Sequence, residues 1–179
     1  FPTRRSSDLL ESYQRLPNGA NAAWYEKTAM SHAGVVAAKA VGRARGIGTV
    51  DVYIATAAGV PSEELLQQVQ TDIQEKREIA VDVKVLAPTQ KPVDITMQAA
   101  PAAGWSGEEA AAAAEQAVTA FFGGQLLGQS VRLAELSSLV FSLECVSNVR
   151  ITAPQEDVSV QQSELAVLGE LSVTAWEES

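Results

Sequence analysis

The sequence predicts an α+β chain: a small partial helix and strand domain, then a ferredoxin-like (split βαβ) domain with an antiparallel sheet and helices on one face. Three observations carry this. TVDVYIAT, from Thr49 to Thr56, alternates apolar and polar residues with the period of a strand. The stretches after Ser62 and Ser106 repeat apolar residues at helical spacing. From residue 48 the order reads strand, helix, strand, strand, helix, helix, strand, close to the split βαβ arrangement.

The first nine residues, FPTRRSSDL, lack periodicity and lead abruptly into LLESYQRL. They read as a non-native stretch of the kind a sequencing-library adapter encodes, and they are set aside from the fold argument. The pattern is helical from Leu9 to Leu16 and from Ala20 to Met30, interrupted by the turn Pro17-Asn18-Gly19. VVAAKAV, ending at Gly42, reads as a short strand. GRARGIG then places three glycines in seven residues, which predicts a bend and the main domain boundary, with Gly42, Gly46 and Gly48 as a candidate hinge.

In TVDVYIAT, Val50, Val52 and Ile54 share one face, as expected of a half-buried strand. Ser62 is a candidate N-cap, with Glu63 and Glu64 in the first turn, where carboxylates complement the helix dipole. The buried stripe of that helix is Leu65, Leu66, Val69 and Ile73. Val81, Val83 and Val85 mark one further strand, and Val93, Ile95 and Met97 another, on either side of the proline-bounded APTQKP. Ser106 and Glu109 have capping-box spacing, and their helix carries Ala113, Ala117, Val118, Phe121 and Phe122 before Gly123-Gly124 ends it. Leu133, Leu136, Val140 and Leu143 line a further helix. NVRIT and LAVLGELSV complete the strands.

Composition narrows the function classes. A length of 179 residues that are 46% hydrophobic supplies the core of one ordinary domain, or of one small domain and part of another. No apolar run approaches the roughly 20 residues that cross a bilayer, which predicts a soluble chain with no membrane partner. A net charge of -9, with acids spread along the chain, disfavours nucleic acid. The lone Cys145 has no internal disulfide partner, which fits a reducing cytoplasm.

Catalytic raw material is scarce, and the reading is that of a non-enzyme without cofactor or metal. His32 follows a helix, where it caps or lies at the surface. Cys145, between Leu143 and Val146 at the end of an apolar helix, reads as a core residue. No CxxC, HxxxH or HExxH spacing occurs, and no oxygen-rich calcium loop. The glycines of GRARGIG lead into a strand, whereas a phosphate loop opens a helix. Glu108 and Glu109 are explained by capping and dipole. Trp24, Trp105 and Trp176 lie near element ends, where aromatics anchor interfaces or close a core at its edge; the sequence leaves both open.

The string NGANAAWYEKTAMSHAGVVAAKAV, then GRARGIGTVDVYIA and PSEELLQQV, resembles the baseplate J family, which includes wedge proteins of Mu-like and P2-like phages. A helix with Tyr or Trp precedes Gly34-Val35, and Gly46 and Gly48 precede Thr49-Val50. LLGQSVRLAELSSLVFSLECVSNVRITAP, from Leu126 to Pro154, followed by LAVLGELSV, resembles the family's closing segment. The resemblance implies that residues 10–45 are the C-terminal part of the family's middle domain and residues 46–179 its C-terminal ferredoxin-like domain, with the N-terminal portion missing. It implies a structural protein of a contractile phage, prophage or tailocin baseplate, assembled in the host cytoplasm with other wedge and tail proteins, and ring-forming at full length. It carries over no catalytic residue.

Two other readings stand beside it. A ferredoxin-like ligand-binding or regulatory module would show a concave apolar pocket with convergent polar groups. An enzyme would bring carboxylates such as Glu108, Glu144 or Asp157 together in a cleft.

Overall fold

The computed structural model describes residues 21–77 and 79–176. The expected adapter-derived stretch, the Leu9–Leu16 helix and the Pro17-Asn18-Gly19 turn lie outside the described residues. Two three-stranded sheets form in tandem, each with two helices, which gives an α+β fold with mixed sheets.

The first module begins with α1 (Ala22–Met30), whose N-cap Asn21 accepts from the Trp24 amide at 2.9 Å. β1 (Ala37–Gly42) and β2 (Thr49–Ala55) pair antiparallel, from Ala37 opposite Ala55 to Gly42 opposite Val50. α2 (Glu63–Lys76) then crosses over to β3 (Asp82–Leu86), which lies parallel to β2 with Thr49 opposite Asp82. That is a βαβ unit, whose parallel pairing a short turn could not produce. The helices cover one face of the sheet: Tyr25 and Ala29 of α1 and Val69 and Ile73 of α2 meet Ala40, Val52, Ile54, Val83 and Val85. Val69 and Ile73 are fully buried, a contribution of roughly 1.5–3 kcal/mol each. Ser62 caps α2 as the sequence predicts, accepting from the Leu65 amide.

Residues 87 and 88 connect to the second module. Its long β4 (Thr89–Pro101) lies between β5 (Val146–Ala153), which is antiparallel to it, and β6 (Glu164–Ala175), which is parallel. α3 (Gly107–Phe121) and α4 (Leu133–Phe141) pack against this sheet. Val93, Ile95, Met97 and Ala99 alternate into a core completed by Ala110, Ala114 and Val118 of α3 and Leu136 and Val140 of α4. Small alanines let α3 approach the sheet closely, and Cys145 is buried at the end of this core.

Two expectations are corrected. The single antiparallel ferredoxin-like sheet over residues 46–179 does not form: β2, α2 and β3 belong with β1, and each sheet contains a parallel pair. The expected boundary at residues 45 and 46 falls inside the β1–β2 connection, whose flanking strands pair along their length. Gly42, Gly46 and Gly48 therefore turn one strand into the next. The Arg43 amide donates to the Thr49 carbonyl at 2.7 Å, and the Asp82 amide donates to the Gly48 carbonyl at 2.8 Å, which ties the loop to both neighbours. Alternation alone gave no way to see this, because it assigns a strand's faces and not its neighbours.

The modules meet through their other faces. Ala37, Tyr53 and Ala55 of the first sheet contact Leu127, Leu165 and Val167 of the second module, and Ala55, Leu127 and Leu165 are buried there. Gly124, at φ +82°, lies against the Thr56 backbone; a Cβ at this position would come within 2.0 Å of the Thr56 carbonyl oxygen. Only glycine permits so close an approach in that conformation.

Candidate functional site

Several titratable side chains are engaged in structural roles. Asp51, 4% exposed on the face of β2 away from the helices, accepts from Arg45 Nε at 2.7 Å. Arg45 Nη1 also donates to Asp82, and the Arg45 amide to Thr49 Oγ1 at 3.1 Å. One guanidinium thus pins the β1–β2 loop to the starts of β2 and β3, and its hydrogen bond holds the Asp82 carboxyl below its ordinary value. Sequence reasoning missed this clamp, since Arg45 and Asp82 are far apart in the chain.

His32 Nε2 lies 3.3 Å from Asp72 Oδ2, and Lys76 Nζ is 2.5 Å from Asp72 Oδ1. The Lys76 hydrogen bond is the main reason the Asp72 carboxyl sits below its usual range. His32 therefore ties the turn after α1 to α2. Glu109 completes the predicted capping box: Ser106 accepts from the Glu109 amide at 3.2 Å, while Glu109 accepts from the Ser106 amide at 2.9 Å and is held acidic by it. Asp157, from a distant loop, accepts from the Leu133 amide at 2.9 Å and so caps α4, whose own N-cap residue, Arg132, makes no side-chain cap bond. Glu108, Glu144 and Asp157 occupy three different positions: the first turn of α3, the loop after α4 and the cap of α4. Among the described residues no group of three or more His, Cys, Asp or Glu side chains is placed to hold a metal ion, and no helix is long and apolar enough to cross a membrane.

Trp24 lies apart from the other two tryptophans. Trp24 packs half-buried against the first core, edge-on to Tyr25 with ring centroids 4.9 Å apart. Trp105 follows β4 and is 47% exposed. Trp176 follows β6 and donates its amide to the Ala99 carbonyl, with the Arg150 guanidinium 4.7 Å from its ring centroid. Trp105 and Trp176 share the end of the second sheet farthest from the inter-module contact, where β4 and β6 finish together.

A hollow along the solvent side of α2 is lined by Glu64, Gln67, Gln68, Thr71, Asp72 and Glu75, all polar side chains of one helix. Side chains that cap, clamp and pack two small modules in tandem make the described residues an α+β scaffold. Residues 17–93 match the Baseplate J-like central domain and residues 93–174 the Baseplate J-like protein C-terminal domain. The chain belongs to the Baseplate J-like family. The junction of the two matches falls in β4, just after the two-residue connection between the sheets.

Among solved structures, the chain is similar to a chain of the cryo-EM structure of the anti-feeding prophage (AFP) baseplate, 6-fold symmetrised. The TM-score is 0.61 at 10% identity, and the similarity covers 93% of this chain and 40% of that one, so it is a likeness of fold. The chain spans about 40% of that relative's length. No curated protein sequence matches it.

Proposed function

We propose that the chain is part of a structural component of a contractile-tail baseplate wedge, acting through protein–protein assembly and not through catalysis. The observation that carries this reading is the match of the central and C-terminal Baseplate J-like domains, in that order, over residues 17–174. The fold likeness to a baseplate chain over 93% of the sequence supports it independently of residue identity. The partners are other wedge and tail proteins, and the full-length protein joins a ring around the tail. It takes its place at the virion tail baseplate after assembly in the bacterial host cytoplasm.

A scaffold of this kind works by presenting rigid surfaces. The engaged carboxylates and the Arg45 clamp suit that task, because groups fixed in the free chain lose little further freedom on binding. The test is co-purification of the full-length protein with the products of neighbouring genes, followed by electron microscopy. Wedge-shaped or ring-shaped complexes support the proposal. A persistent monomer that binds none of those products overturns it.

A further inference from the structure

Each sheet has two edge strands, and an edge strand carries a row of backbone N–H and C=O groups with no neighbouring strand to take them. Three of the four edges carry side-chain plugs. On β1, Glu26 of α1 accepts from the Ala40 amide at 3.1 Å. On β3, the Gln70 carboxamide of α2 donates to the Val83 carbonyl at 3.0 Å and accepts from the Val85 amide at 2.6 Å, so one side chain stands in for a piece of strand. Arg77 donates to the Val81 carbonyl on the same edge. On β5, Asn148 accepts from the Val149 amide at 2.8 Å.

β6 differs. Its start is covered, because Leu127 bridges to Leu165 and the Gly128 amide donates to the Glu164 carbonyl at 2.9 Å. After the bulge at Gly169 the pairing with β4 is regular from Leu171 to Ala175. The Trp176 amide donates to the Ala99 carbonyl, so Ser172, Thr174 and Trp176 direct their backbone groups to β4, and Leu171, Val173 and Ala175 direct theirs outward. Among the described residues no strand or side chain takes these outward groups. Nor does β6 contain the lysine or proline that blunts an edge.

Leu171 and Val173 point to the helix-covered face and pack only partly buried against the second core. A strand laid on this edge satisfies the outward amides and carbonyls and completes the burial of both side chains. The unpaired main chain selects an extended peptide as the occupant. Charge selects its other face: β6 contributes Glu164 and Glu170 and no cation, and residues 89–176 hold three cations, Lys91, Arg132 and Arg150, against ten acids.

We infer that the β6 edge from Leu171 to Ala175 binds an extended segment of a different protein as a fourth strand of the second sheet, with apolar residues towards the core alternating with basic residues on the open face. This rests on the proposed role in assembly and names the means by which one partner is held.

The test adds an acetylated peptide of five alternating valine–lysine pairs to the 179-residue chain and follows amide hydrogen exchange by NMR. In the chain alone the Leu171, Val173 and Ala175 amides are expected to exchange quickly. Excess peptide is expected to slow them about tenfold or more and to leave the plugged Ala40, Val85 and Val149 amides unchanged. Two further peptides, N-methylated at every valine or at every lysine, separate main-chain pairing from charge: the set facing β6 loses its effect and the other retains it. Exchange that the first peptide leaves unaltered, or methylated peptides that act alike, overturns the inference. Outward amides already protected in a chain that sediments as a dimer assign the edge to a second copy and also overturn it. Full-length protein that co-purifies with the products of neighbouring genes while the peptide leaves the edge unprotected retains the assembly role without the strand addition.

Discussion

At the scale of single residues, the molecule depends on a few side chains that close gaps between distant segments. Arg45 neutralises Asp51, a carboxylate almost without solvent, and removing the guanidinium leaves that charge buried and unpaired. Arg45→Ala is expected to lower the melting temperature at neutral pH. The Asp82 carboxyl is held below its ordinary value of 3.8 by the same arginine, so its share of stability is present above that pH and is lost as pH falls through the folded value. Thermal melts of wild type and Arg45→Ala should therefore converge as the pH drops below 3.8. Gly169 presents a steric case: a Cβ there would lie 2.1 Å from Asp94 Oδ1, which accepts from the Glu170 amide at 2.8 Å and holds a bulge between β4 and β6. Gly169→Ala is expected to destabilise by about 1–3 kcal/mol in denaturant unfolding.

At the scale of elements, what the sequence made legible was local. The Ser106–Glu109 capping box, the Ser62 cap and the Val69 and Ile73 stripe all depend on residues within one turn or two of each other, and all form. Ser106→Ala removes one partner of the box and is expected to cost about 1 kcal/mol, measured by chemical unfolding. Strand neighbours were not legible. Val81–Val85 and Val93–Met97 read as successive strands of one sheet, yet the structure places them in different sheets, because β3 finds its partner through the α2 crossover and β4 through β5 and β6. The glycines from Gly42 to Gly48 looked like a domain bend for the same reason: a glycine-rich stretch signals a turn without saying whether one sheet or two lie beyond it. The cap that Asp157 lends to α4 is likewise hidden, since donor and acceptor are 24 residues apart.

At the scale of the whole molecule, the two modules are joined by a short connection and a small apolar contact, so the relation between them rests on a few residues. Leu165 is fully buried in that contact with Leu127 and Ala55. Leu165→Ala is expected to destabilise by about 2–5 kcal/mol and to separate the unfolding of the modules into two steps, seen by calorimetry. In the proposed baseplate role, that contact is what holds one module in place against the other. The most direct test is electron cryo-microscopy of contractile particles purified from cells that encode the full-length protein. The account predicts density at the baseplate, repeated around the tail axis, that accommodates both three-stranded modules with their Leu127–Leu165 contact intact. Complete particles in which no baseplate density fits the two modules would contradict it.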